Sequence, residues 1–255
     1  MSRAKGMAKD LEAITPRGSG RHLPQRNAEA AGEVGRILAV LDALDSAYGN
    51  DEMPPEALST GEPLDGLILT LLSQNTNDRN RDMAYDALRA RYPAWEDVAS
   101  LTPAEIASLI RPAGLGDTKS VRMRAILEQI RSDFGAYSLS SLKKRPPDDV
   151  RRYLSDLPGI GPKTVACVMM FDLGMPAFPV DTHVARVSRR LGWVKEKMVP
   201  ERIQEFLELV VPPERCGGGH LNMIEHGRAI CGARHPKCEG CVVVGLCERV
   251  GVSGD

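Results

Sequence analysis

The 255-residue sequence predicts an all-α fold. Three observations carry that expectation. Apolar residues recur at three- and four-residue intervals in segment after segment, the spacing of a helix with one buried face. Prolines and capping residues stand where those segments begin. No stretch alternates apolar and polar residues over the length of a strand, and no internal repeat is visible.

The elements follow in order. Val34, Ile37, Leu38, Leu41 and Leu44 fall on one helical face and predict a helix from Gly32 to Tyr48, ended by Pro54-Pro55. Leu64, Leu67, Ile68, Leu71 and Leu72 line the next helix. The polar run Ser73-Gln74-Asn75-Thr76-Asn77-Asp78 interrupts it, and Asp78 opens the helix after that. Thr102-Pro103-Ala104-Glu105 reads as an N-cap, a first-turn proline and the acid of a capping box. Met123, Ile126, Leu127, Ile130 and Phe134 mark a further helix, and Pro146-Pro147-Asp148-Asp149 starts another. From Thr164 to Leu173 the chain is apolar nearly all round, as in a buried helix. Ile203, Phe206, Leu207 and Val210 give one more before Pro212-Pro213. Residues 1–31 show no periodicity and predict a flexible basic arm, with six basic and two acidic residues in its first 26 positions.

Lysine and arginine total 33 against 34 acidic residues, a net charge of −1. A polyanion-binding protein needs local basic clusters. The arm provides one, and so do Lys143-Lys144-Arg145 and Arg186 with Arg189-Arg190. The balance therefore permits nucleic acid as a partner without arguing for it. No apolar run is long enough to span a bilayer, and the basic N-terminus lacks the apolar segment of a secretory signal. The expectation is a cytoplasmic protein with no membrane partner.

The densest chemistry lies in Leu157-Pro158-Gly159-Ile160-Gly161-Pro162-Lys163-Thr164, followed by Val180-Asp181-Thr182-His183. Gly159 and Gly161 permit a tight hairpin whose backbone N–H groups can approach a phosphate. Pro162 suits a first helical position, which puts Lys163 in the first turn. There the positive end of the helix dipole opposes protonation of the amine, and a lysine so poised is a nucleophile able to form a Schiff base. Asp181 stands eighteen residues later with a carboxylate. A phosphate-gripping hairpin without chemistry is the alternative that the glycines alone would allow.

Near the C-terminus, Cys231, Cys238, Cys241 and Cys247 fall within seventeen residues. Four thiols so close read as a metal or cluster site rather than as disulfides. The pattern has one two-residue knuckle and two wider gaps. Zinc remains open on spacing, and an iron–sulfur cluster tolerates unequal gaps. Arg234 and Lys237, between the first two cysteines, are placed to meet a phosphate backbone or to offset cluster charge. Cys167, in the apolar helix, reads as a core residue, and His220 and His226 as structural histidines. Cys216 opens what reads as a glycine-rich turn, Cys216-Gly217-Gly218-Gly219.

Both motifs together resemble the endonuclease III family of DNA glycosylases, over residues 32 to 249. The resemblance implies two helical domains flanking a DNA-binding groove. One is a six-helix barrel with the helix-hairpin-helix at about 64–176, and the other is an iron–sulfur domain from 32–63 and 177–255. It implies that Lys163 attacks the sugar of a damaged nucleotide, that Asp181 assists, and that the four cysteines hold a [4Fe–4S] cluster. Gly159, Gly161 and Thr164 would meet the DNA backbone. A polar residue after the second core helix fills the gap left by the extruded base. Ungapped alignment gives Asn75 that place rather than the neighbouring Gln74. A Gly-Leu turn carries an apolar wedge, matched here by Leu115 in Gly114-Leu115-Gly116-Asp117, with Lys119 nearby at a phosphate.

The function implied is a monomeric, nucleoid-associated base-excision enzyme that acts on double-stranded DNA. It would remove oxidised or damaged pyrimidines and cleave abasic sites by β-elimination. A monofunctional mismatch glycosylase is the first rival. That type lacks a lysine at the place of Lys163, and its adenine-specific form needs a carboxylate on the helix before Asn75, where Leu67 to Leu72 has none. A non-catalytic iron–sulfur DNA-binding protein is the second.

Overall fold

The computed structural model describes residues 23–51 and 59–252. Among them every regular element is helical, in eleven α-helices joined by short 3-10 and π turns. They are α1 (Leu23–Tyr48), α2 (Pro63–Ser73), α3 (Asp78–Arg91), α4 (Trp95–Ser100), α5 (Pro103–Leu109) and α6 (Gly116–Phe134). There follow α7 (Pro147–Asp156), α8 (Pro162–Cys167), α9 (Thr182–Arg190), α10 (Pro200–Val210) and α11 (Cys216–Ala229). Among the described residues no helix is long and apolar enough to cross a membrane.

Local chemistry explains most of the boundaries. Thr102 and Glu105 form the reciprocal capping box that starts α5, with Pro103 in its first turn. Asn77 accepts the Asn80 N–H at 2.9 Å and starts α3. Gly135 ends α6 at φ +70, in the left-handed region that a helix stop favours. The five leucine and isoleucine positions expected on one face of α2 are all at 0% exposure.

The start of α1 departs from expectation. Residues 23–31, expected in the arm, continue this helix, and residues 1–22, which hold most of the basic positions, lie outside the described residues. The segment Asn27-Ala28-Glu29-Ala30-Ala31 has strong helix propensity but no apolar stripe, so periodicity gave no sign of it. The break at Pro54-Pro55 also lies outside the described residues.

The described chain forms two compact units: residues up to 51 together with those from Pro176 onward, and residues 59 to Met175. In the second unit, α2 packs on α3, α6 and α8. The expected buried helix after Thr164 is α8 followed by a π turn, Val168–Asp172. The side chain of Asp172, 6% exposed, accepts the N–H and Oγ1 of Thr60, both at 3.4 Å. It lies over Gly66 of α2, where a Cβ would stand 2.0 Å from Asp172 Oδ2, so only glycine fits.

In the first unit, α11 packs along α1 and α9. The segment Cys216-Gly217-Gly218-Gly219, expected to be a turn, is instead the first turn of α11. A Cβ on Gly218 would lie 2.3 Å from Asp51 Oδ1, and one on Gly219 would lie 3.3 Å from Leu41. These glycines serve close approach, not chain reversal. Arg215 holds the same corner, with ion pairs of 2.7 Å to Asp42 and to Asp51. Arg36 of α1 donates to the carbonyls of Leu191 and Leu246 at 3.0 and 3.2 Å, fastening the first helix to the last segment.

Candidate catalytic hairpin and thiol site

In the 59–175 unit, α7 and α8 flank the hairpin. The Ile160 N–H donates to the Leu157 carbonyl at 3.2 Å, with Pro158 and Gly159 between them and Gly159 at φ +74. That is the arrangement of a type II turn, which needs glycine at its third position. Leu157 and Ile160 are 3% and 7% exposed and seat the turn in the core. Gly159 and Gly161 are exposed, and a Cβ on Gly161 would meet nothing within 4 Å. Space for another molecule is therefore open at Gly161. Lys163 is the second residue of α8 and half-buried. Thr164 is buried, so its hydroxyl is not at the surface. Its backbone N–H lies in the first helical turn, where no intrahelical acceptor exists.

The structure separates Gln74 from Asn75. Gln74 is half-buried; its Nε2 donates to the Gly159 carbonyl and its Oε1 accepts from Arg122 Nη1, both at 3.3 Å. Asn75 is exposed at φ +54. Leu115 is also left-handed, at φ +50, and 57% exposed. An apolar side chain held outward in a costly backbone conformation is an outlier that points to use.

Lys119 is not a phosphate contact. It is 1% exposed, and its Nζ donates to the carbonyls of Leu72 and Ala113 at 2.7 and 2.9 Å. Burial lowers its pKa. The lysine faces inward because α6 turns that face to α2 and to the turn before it, which spacing in the sequence does not reveal.

In the other unit, Asp181 caps α9, its Oδ1 accepting the Val184 N–H at 2.8 Å. Beyond α11, Cys231, Cys238, Cys241 and Cys247 border one cavity with Arg190 and His226. Burial and then the neighbouring thiols push up the pKa of Cys241 and of Cys247, to which hydrogen bonding runs counter. Among the described residues no three His, Cys, Asp or Glu converge as ligands of one ion. Thiolates around a single zinc lie only about 4 Å apart. The four thiols border one cavity, and unequal gaps between them are compatible with a polynuclear cluster. Donors reach the sulfurs too: Arg190 Nη1 to Cys231 Sγ at 3.3 Å and the Arg249 N–H to Cys247 Sγ at 3.4 Å. Such bonds are what metal-bound thiolates accept. The residues fit a [4Fe–4S] group.

The arginines read from the sequence as a basic cluster hold this loop. Arg186 donates to the carbonyls of Gly227 and Cys231 at 2.8 and 2.9 Å. Arg190 donates to those of Gly232 and Ala233 at 2.6 and 2.9 Å. Their four-residue spacing on α9, facing the cysteines, was the available signal. His226 lies between Tyr48 Oη, 3.1 Å from its Nδ1, and Cys241 Sγ, 3.6 Å from its Nε2. Burial pulls its pKa down to about 4. His220 meets the Pro179 carbonyl at 2.8 Å, and Cys167 is a core residue at 5% exposure. Arg234 and Lys237 are exposed.

An all-α chain with a glycine hairpin set between two helices defines a helix-hairpin-helix protein. Residues 68–213 match the HhH-GPD superfamily of base excision DNA repair proteins, and the chain belongs to it. Endonuclease III of Thermotoga maritima is 35% identical over 187 residues, 73% of this chain and 83% of that protein. A candidate DNA glycosylase of Arabidopsis thaliana is 37% identical over 168 residues, which are 66% of this chain and 57% of the plant protein. The solved structure of a trapped endonuclease III–DNA covalent intermediate superposes with a TM-score of 0.73 at 27% identity, covering 85% of this chain and 96% of that one. Within the superfamily the chain is endonuclease III-like.

Proposed function

We propose that this protein is a DNA glycosylase with abasic-site lyase activity that removes oxidised or damaged pyrimidines from double-stranded DNA as a monomer. The observation that carries the reading is Lys163, set at the start of α8 two residues after Gly161, where space is open at the end of the exposed hairpin. The relative solved as a covalent DNA intermediate supports the same chemistry.

The uncharged amine of Lys163 attacks C1′ of the damaged nucleotide. The N–C1′ bond forms as the glycosidic bond breaks, and the base leaves with the electron pair. Opening of the sugar ring then gives the protonated Schiff base. A C2′ proton passes to water, its bond pair forms the C2′=C3′ double bond as the C3′–O bond breaks, and the 3′ phosphate leaves, which cuts the strand; water then hydrolyses the Schiff base and frees Lys163. The proton that the amine sheds goes to a carboxylate, the role that the likeness to endonuclease III suggests for Asp181. Gly159, Gly161 and the backbone N–H of Thr164 hold the DNA backbone. Leu115 enters the duplex and Asn75 fills the space the base leaves.

Cys231, Cys238, Cys241 and Cys247 would hold a [4Fe–4S] cluster, which supplies a covalent cross-link for a segment short of apolar residues. Arg234 and Lys237 then present their charges on the loop so ordered.

Borohydride trapping on abasic duplex DNA tests the reading. Wild-type protein should form a covalent adduct and Lys163→Gln none, with DNA binding largely kept. Base release without an adduct would identify a monofunctional glycosylase. Binding with neither would leave a non-catalytic DNA-binding protein.

A further inference from the structure

Lys119 and Arg122 stand one turn apart on α6, and both are engaged within the 59–175 unit. The Lys119 acceptors stand at strategic places. Leu72 is in the last turn of α2, three residues before Asn75, and Ala113 closes the 3-10 turn two residues before Leu115. One turn further on, Arg122 reaches Gln74 Oε1 at 3.3 Å, and a Cβ on Gly159 would lie 2.4 Å from Arg122 Cδ. Three turns thus rest on one helix: those of Asn75, Leu115 and Gly159.

Two of these turns hold a non-glycine residue at positive φ, Asn75 at 54° and Leu115 at 50°. Such conformations persist only where the surroundings hold them. A buried ammonium is costly unless its hydrogens are bonded. With two carbonyls bonded to one nitrogen, neither turn can shift without stranding that charge.

We propose that Lys119, backed by Arg122, is a positioning residue that keys the Asn75 turn to the Leu115 turn, so that both side chains enter the duplex as one rigid tool when a base is extruded. The proposal rests on the function above and on those two residues as the openers of the duplex. Lys119 itself touches neither DNA nor the reacting atoms.

A double-mutant cycle tests it. Single-turnover base release from a duplex with an oxidised pyrimidine, and cleavage at a pre-formed abasic site, are measured for wild type, Lys119→Met, Leu115→Ala and the double variant. Lys119→Met should slow base release about tenfold and abasic cleavage by less than about threefold, with little further loss once Leu115 is already Ala. Additive losses, or equal losses on both substrates, would reduce Lys119 to a core anchor and overturn the keying. If circular dichroism shows Lys119→Met unfolded, the half-buried Arg122→Met enters the same cycle with Asn75→Ala, and additive losses there overturn it as well. A wild type that neither releases base nor forms the borohydride adduct overturns the function and the keying together; an active wild type with additive losses overturns the keying alone.

Discussion

The Oδ1 of Asp181 accepts the backbone N–H of Val184 at 2.8 Å, so the carboxylate eighteen residues after Lys163 is also the N-cap of α9. One side chain therefore carries a structural duty and a proposed chemical one, and substitution separates them. Asparagine caps about as well as aspartate, whereas alanine costs about 1 kcal/mol. Asp181→Asn should keep the wild-type melting temperature and still lose base excision by about a hundredfold or more. Asp181→Ala should lose both. Near-normal excision by Asp181→Asn, measured beside its melting curve, would leave Asp181 a cap alone.

Leu115 stands at φ +50 with its side chain 57% exposed. Leu115→Gly should leave stability unchanged or raise it by up to about 1 kcal/mol, because glycine relieves the left-handed strain. The same change should slow base removal from duplex DNA far more than cleavage at a pre-formed abasic site, where no base must be extruded. Loss of stability, or equal kinetic losses on the two substrates, would show a packing residue.

The thiol cavity predicts a coloured protein containing about four iron and about four acid-labile sulfide per chain. Cys238→Ser should lower both and the thermal stability of the first unit, because among the described residues after Ile230 one apolar side chain is buried in full, Val243. Stoichiometric zinc without sulfide, in protein from iron-replete cells, contradicts the assignment.

Asp172 gives a pH dependence. Burial drives its pKa up from 3.8 to about 6, only partly offset by Thr60. The folded state therefore holds this proton more tightly than the unfolded chain does. The contribution of Asp172 to stability is greatest below about pH 4 and declines as pH rises to about 6, then stays at the lower level. Asp172→Asn keeps an acceptor for Thr60 and removes the buried charge. It should raise the melting temperature at pH 7.5 while changing it little at pH 4. A gain of the same size at both pH values would show that the charge is not the cause.

Much of the fold could be read in the sequence. The apolar face of α2, the capping box at Thr102 and Glu105, the proline start of α7 and the apolar face of α10 are encoded by neighbours within a few residues. The same holds for the hairpin: Pro158 and Gly159 specify a type II turn, and Pro162 starts the helix that bears Lys163. The cysteine spacing likewise marked out one thiol site.

Other features depend on residues far apart in the chain, and no local pattern announces them. The triple glycine of α11 reads as a turn until Asp51, Leu41 and Phe178 are seen pressed against it. The extension of α1 back to Leu23 has propensity but no stripe. Lys119 reads as a surface charge near a DNA-facing turn, whereas its ammonium lies between Leu72, forty-seven residues away, and Ala113. Arg186 and Arg190 read as a basic patch and prove to be the fastenings of the cysteine loop. By itself the sequence determined where helices start, where the hairpin turns and which side chains have reactive chemistry, because capping, turn geometry and nucleophilicity are properties of a few adjacent residues. Only the tertiary structure decided which of those side chains face outward and which are buried, because a charge is held inside or left in water according to the carbonyls that distant segments bring to it.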